Sequence, residues 1–304
     1  MAQQVQRKPN RPKKNITGRR SSSQTGIVIA SISLVVVVTV VAAFILLKLN
    51  QNTSSSTAAA SLASPAVVDA VTNVPNSALA TATVPAGSIT LPAPISGAAP
   101  LVSGSKPVLL YMGADYCPYC AAERWPLVIA LSKFGTFSKL HVTSSSSSDV
   151  YPNTQTFSFF GSSYSSPYID FQSVEMQTNV AVNGSYPALQ TPTAEQNQIF
   201  SKYDQPPYAS VATGIPFIDF ANKFVISGPS FSPGLLAGLS RASIAGSLTI
   251  NGTVTNQAIL PSANLIIPRS ARSITTSQDR CARWHQSRRL RQALSRSWHR
   301  SNTL

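Results

Sequence analysis

Apolar and polar positions divide the chain into unlike parts. Residues 27–47 are 21 positions without a charge. At about 1.5 Å per residue, such a helix spans the roughly 30 Å hydrocarbon layer of a bilayer. Residues 48–100 are rich in Ser, Thr, Ala and Pro and lack regular apolar spacing. They are expected to form a disordered stalk or linker, with a short helix over 67–71. From about Leu101 the apolar spacing becomes regular. The short apolar run 107–112 predicts a buried strand. The good helix formers of 121–131 predict a helix, with Gly113 and Ala114 turning the backbone between the two.

Further on, Ser144 to Ser148 is a run of five serines, expected as a solvated loop. The aromatic residues of 151–168 fit core and hairpin packing better than a ligand surface. Residues 168–175 alternate apolar and polar, as a half-exposed strand does. Thr193 and Gln196 form a capping box that opens a helix over 193–203. Residues 217–220 and 223–226 flank Ala221-Asn222 and predict a hairpin. Residues 232–250 are expected to be helical, weakened by Gly234, Gly238 and Gly246.

Charge refines this picture through its location. The net charge of +14 invites a nucleic-acid partner. However, seven basic residues lie within 1–26, and nine arginines lie within 269–304. Between Leu49 and Pro268 there are seven basic and nine acidic residues, so that part has no basic face, and no nucleic acid is expected as a partner. The polar, basic residues 1–26 are expected to be disordered and cytoplasmic. A cleavable signal peptide has an apolar region of only about 7–15 residues, so residues 27–47 are expected to be a signal anchor. Seven positive charges before it and Lys48 just after it put the N-terminus inside and the rest outside the cell membrane, as a single-pass protein. After Pro268 the composition changes abruptly, with many Arg and Ser and no sustained apolar face. A basic tail, a membrane-surface helix and a reading frame shifted near Ile267 are the candidate explanations. The last predicts no ordered contact between residues 269–304 and the domain, with Cys281 unpaired.

The candidate chemistry lies in Cys117-Pro118-Tyr119-Cys120. The pair falls where a strand hands over to a helix N-terminus, and there free N–H groups and the helix dipole stabilise an anion. Cys117 is therefore expected to be an exposed nucleophile of lowered pKa, and Cys120, one turn later, the more enclosed resolving thiol. Pro118 fits the first turn, where its missing N–H does no harm. A zinc site needs four ligands. The other cysteine is Cys281, and His141, His285 and His299 are not at ligand spacing from the pair. A structural disulfide closing so short a loop would gain little entropy.

Strand, cysteine pair, helix and the later Gly214-Ile215-Pro216 before a hairpin resemble the thioredoxin-like superfamily. That resemblance covers about residues 101–265. It implies an α/β fold, a thioredoxin-like mixed sheet flanked by helices, over residues 101–268. It also implies a cis proline at Pro216 beside the cysteines. The substrate-binding candidates are Ile215, Pro216, Pro118 and Tyr119. The wording of 113–126, 146–153 and 156–159 is similar to the DUF929 family of archaeal and bacterial membrane-anchored proteins, whose function is unassigned. Thioredoxin keeps a buried acid six residues before its first cysteine. Tyr111 stands there in this sequence, which implies different proton handling. The Pro-Tyr dipeptide is common in glutaredoxins, but no glutathione-binding set accompanies it. The resemblance implies a membrane-anchored, extracytoplasmic thiol–disulfide oxidoreductase acting on envelope protein thiols or disulfides with a membrane redox partner. No metal or organic cofactor is implied. The alternative is a non-catalytic binding module whose cysteine pair is structural. In intact, reduced cells a membrane-impermeant thiol reagent should label Cys117; labelling only after lysis would contradict the expected topology.

Overall fold

The computed structural model describes residues 61–82, 89–209, 212, 214–271 and 273, all within one compact unit that begins at Ala59. The expected cytoplasmic segment 1–26 and membrane span 27–47 lie outside the described residues. Among the described residues, no helix is long and apolar enough to cross a membrane.

The strand β3 (Lys106–Gly113) is the centre of a mixed sheet. It runs parallel to β6 (Asp170–Glu175), with Val108 opposite Asp170 and Gly113 opposite Glu175. On its other side it runs antiparallel to β7 (Phe217–Phe220), with Met112 opposite Phe217. The sheet continues through β8 (Phe224–Ser227) to the short β1 (Ala93–Pro94). The short β2 (Val102–Ser103) pairs with the start of β3. Successive side chains of a strand point to opposite faces, and here both faces are covered. Leu109 and Tyr111 enter one apolar cluster, with Trp125 and Val128. Val108, Leu110 and Met112 enter another, with Ile199, Tyr203 and Phe217. Two covered faces explain why the run reads as continuously apolar.

The first cluster is covered by α3 (Pro118–Leu131). The second is covered by α4 (Ala194–Tyr203), which opens with the expected capping box, Thr193 and Gln196 bonding each other's backbone. A two-stranded ladder, β4 (Thr136–Ser144) and β5 (Gln155–Ser165), adds Phe137, Val142, Phe157 and Phe159 to the first cluster. The hairpin β7–β8 turns at Ala221 and Asn222, whose φ values of 54° and 56° lie in the left-handed region.

Three expectations are corrected. The stalk reading of 48–100 does not hold over 61–82, while residues 48–60 and 83–88 lie outside the described residues. Helices α1 (Pro65–Thr72) and α2 (Asn76–Thr81) put Val67, Val71, Val74 and Leu79 into the first cluster. Ala63 N–H also bonds the Leu140 carbonyl at 2.8 Å, and Val142 N–H bonds the Ser61 carbonyl at 2.8 Å. The serine run is not uniformly solvated either, since Ser145 and Ser146 are buried. The Ser145 hydroxyl bonds the Tyr151 carbonyl at 2.8 Å, and Ser146 N–H bonds the Tyr116 carbonyl at 2.8 Å. The helical stretch 232–250 is broken by Gly238, at φ 72°, into a 3-10 turn (Pro233–Leu236) and α5 (Arg241–Ser247).

A helix over 254–271, here α6, went unread because Pro261 and Pro268 interrupt its pattern. It nevertheless buries Ile259, Leu260, Ala263 and Ile266. It continues past Pro268, with the Arg269 guanidinium 5.7 Å from the Phe224 ring centre. The Ser273 hydroxyl donates to the Phe220 carbonyl at 3.2 Å. The expected absence of contacts from residue 269 is therefore wrong for Arg269, Ser270 and Ser273, while Cys281 and residues 274–304 lie outside the described residues. Val71 is fully buried, so Val71→Asp should lower stability by about 3 kcal/mol or more. A urea midpoint unchanged by this substitution would restore the stalk reading.

Candidate thiol site at the start of the third helix

Strand β3 ends at Gly113, where a Cβ would overlap the Tyr111 hydroxyl, and the chain turns over residues 114–117 into α3. Cys117 is the N-cap of that helix, with Pro118 in its first turn. Cys117 Sγ accepts the Cys120 N–H at 3.2 Å, in the place a capping oxygen usually takes. Across the site, the Ile215–Pro216 peptide is cis, and the Cys117 thiol donates to the Ile215 carbonyl at 3.8 Å. Both cysteines are free thiols.

The two thiols are unlike. The hydrogen bond with the Cys120 side chain lowers the pKa of Cys117. Burial opposes this, and the Cys120 N–H and the Arg124 charge assist it. Burial pushes Cys120 well above the ordinary thiol value, and its bond to Cys117 adds to the rise. The expectation of an exposed Cys117 is corrected, because the residue is only 4% exposed. Pro118 is buried in α3. Tyr119 is 38% exposed and lines a cavity together with Ile215. Thus the structure brings Cys117, Cys120, Ile215 and Pro216 together, sets Tyr119 at their edge and withdraws Pro118 into the helix.

Beneath the pair lies a charged cluster that sequence reading missed. Arg124 is fully buried in α3. Its Nε and Nη2 donate to Glu175 Oε1 and Oε2 at 2.9 and 2.6 Å. Nη2 also donates to the Ala114 carbonyl at 2.8 Å and approaches Asp115 Oδ1 at 3.5 Å. Ala114 O also accepts the Cys117 N–H at 3.2 Å, so Arg124 holds the turn that presents the sulfur. The Ser158 hydroxyl donates to Asp115 Oδ2 at 3.2 Å. Burial raises Asp115 to about 7, and the Glu175 charge adds to the rise, against Arg124 and Ser158. Tyr111 is fully buried, and its OH lacks a hydrogen-bond partner among the described residues. A second buried acid, Glu123, accepts the Ser230 N–H at 2.7 Å and hydroxyl at 2.8 Å. The signal for both acid and base was present: Glu123-Arg124 is a charged pair inside an otherwise apolar helix. Among the described residues, no group of three or more His, Cys, Asp or Glu could hold a metal ion.

A family model described as a domain of unknown function (DUF929) matches residues 95–269, more than half of the chain. No curated protein and no solved structure matches it.

The buried acids set a pH dependence. Burial raises Asp115, Glu123 and Asp219 each to about 7. Between the ordinary carboxyl range and about 7, the folded protein holds protons that the unfolded chain has lost. The stability these groups contribute is therefore full at acid pH and is lost as the pH rises through about 7. The urea midpoint should fall from about pH 5 to about pH 8, and Glu123→Gln should flatten part of that slope and stabilise the protein at about pH 8 by roughly 1 kcal/mol. A midpoint that rises over this range would show that these acids are ionised when folded.

Proposed function

The chain belongs to the DUF929 family, and we propose that it is a membrane-anchored, extracytoplasmic thiol–disulfide oxidoreductase acting through Cys117 and Cys120. The observation that carries this reading is the opposition of the two thiols. Cys117 Sγ caps the helix and accepts the Cys120 N–H, and it faces the carbonyl before a cis proline. A lowered nucleophile beside a raised resolving thiol suits two-step exchange. The fold supports the thioredoxin-like resemblance in its order. A strand, the cysteine-bearing helix and the parallel β6 are followed by α4, the cis proline, an antiparallel hairpin and a covering helix. The uncharged residues 27–47 and the basic residues before them support a membrane anchor with the domain outside.

In the reductive direction, the Cys117 thiolate attacks one sulfur of a substrate disulfide. A bond forms between Cys117 and that sulfur, and the other substrate sulfur leaves as a thiolate and takes up a proton. Cys120 then gives up its proton and attacks Cys117 Sγ. The intramolecular disulfide forms, and the second substrate thiolate leaves and is protonated. Two electrons pass to the substrate. Reversal oxidises a substrate dithiol, and a membrane thiol–disulfide partner restores the starting state. The positive charge of Arg124 favours the attacking thiolate at Cys117, while burial keeps Cys120 protonated until the mixed disulfide exists.

In the reduced protein, thiolate absorbance should titrate below the free-cysteine value of about 8.5. Cys117→Ser should remove that transition, and Cys120→Ser should keep it. Cys120→Ser in membranes should accumulate a mixed disulfide that mass spectrometry can identify. A reduction potential above about −250 mV supports exchange, whereas one below about −300 mV marks a structural bridge and favours the binding-module reading.

A further inference from the structure

A cavity of about 670 Å³ adjoins the thiol site. Its lining includes Leu91, Tyr119, Tyr208, Ile215, Ser230 and Phe231. Ile215 belongs to both places, because its carbonyl accepts from Cys117 and the residue also lines the cavity. Whatever bonds to the Cys117 sulfur therefore has its flanking atoms beside this space. Tyr119 and Leu91 are 38% and 68% exposed, so the space opens to solvent.

Among the described residues, no charged side chain lines the cavity. The reason lies in the sequence. The cavity is lined from three runs, 70–105, 205–218 and 224–240, none of which contains Asp, Glu, Lys, Arg or His. Its remaining wall residue, Tyr119, sits between the two cysteines. Two carboxyls stand behind the wall and are taken up by it: Glu123 is fully buried and accepts both Ser230 donors, and Asp204, 7% exposed, accepts the Ser227 hydroxyl and the Gly214 N–H. The wall offers hydroxyls, aromatic rings and aliphatic groups, with no counter-ion. A charged group entering it would lose hydration without gaining a partner, whereas an apolar side chain gains by leaving water.

We propose that this cavity receives the uncharged residues flanking a cysteine of a protein substrate. It thereby directs the thiol chemistry to neutral, partly apolar segments and away from glutathione, which carries two carboxylates and an ammonium. The substrate assignment rests on the oxidoreductase reading, but occupancy of the cavity is tested without it.

The probes are short blocked peptides with serine in the place of cysteine, flanked by Phe and Leu, by two Glu or by two Lys. Calorimetry with the full-length protein should show the neutral peptide binding at least about tenfold more tightly than either charged one. Leu91→Lys, at the open rim, should move the preference toward the Glu peptide by about fivefold or more. A ratio below about tenfold, or no binding of the neutral peptide, overturns the proposal. Selective binding that Leu91→Lys leaves unchanged places the peptide elsewhere and overturns the assignment to this cavity. Since no sulfur chemistry enters this assay, its result is separable from the redox reading. Selective binding without disulfide exchange defeats the oxidoreductase, and exchange without selectivity defeats the cavity assignment.

Discussion

A guanidinium sealed from water needs acceptors, and the site supplies them to Nε and Nη2 of Arg124, while Nη1 has none among the described residues. Glu175 at the end of β6 takes two of its donors, and the Ala114 carbonyl in the turn before Cys117 takes another. One ion pair thus ties the cysteine-bearing helix, the neighbouring parallel strand and the turn between strand and helix. Removing either partner would leave a bare charge in the interior, which typically costs 3–5 kcal/mol. Glu175 makes the close bidentate pair with Arg124, and burial, with the Glu175 charge beside it, raises Asp115 to about 7.

That cluster requires its cover. Tyr111 and Leu109 form its apolar neighbourhood on one face of β3, with Trp125 and Phe157 closing in from α3 and β5. The ladder β4–β5 also contributes Ser158, whose hydroxyl reaches Asp115. The segment 61–82 packs into the same cluster and is anchored from above by Lys133, whose ammonium donates to the Val74 carbonyl at 2.6 Å. What composition presents as a stalk is part of the apolar cluster on this face of the sheet.

The legible parts of the sequence were those whose pattern is local. The strand at 107–112, the capping box at Thr193, the hairpin at Ala221-Asn222 and the cysteines at a helix start are short signals with one structural solution. The illegible parts depend on distant partners. Val67 and Val71 among serines and alanines give no period strong enough to mark a core contact, and their burial comes from distant helices, Pro118–Leu131 and Arg241–Ser247. The helix 254–271 was hidden by Pro261 and Pro268, since packing of Ile259, Leu260 and Ile266 outweighs the local penalty. Arg124 could have been singled out as a charge inside an apolar helix, but its partner Glu175 lies 51 positions on, at the end of a different strand. The exposure of Cys117 was misjudged because the segment covering it, at Ile215, lies 98 positions away.

Charge in this molecule is segregated by depth around the two sulfurs. Below them Arg124 supplies a positive charge, shielded from solvent ions by full burial of Arg124 and Glu175. Beside them the wall of Leu91, Tyr208 and Phe231 supplies none. A surface charge near the mouth would perturb Cys117 in a way that varied with salt and with each substrate. A buried one does so constantly. On the oxidoreductase reading, reactivity is therefore set from the interior, and partner choice is left to the shape and polarity of the neutral cavity. The two functions fall on different residues, so one can change without disturbing the other. The junction between them is Ile215, whose carbonyl touches the sulfur while the residue also faces the cavity.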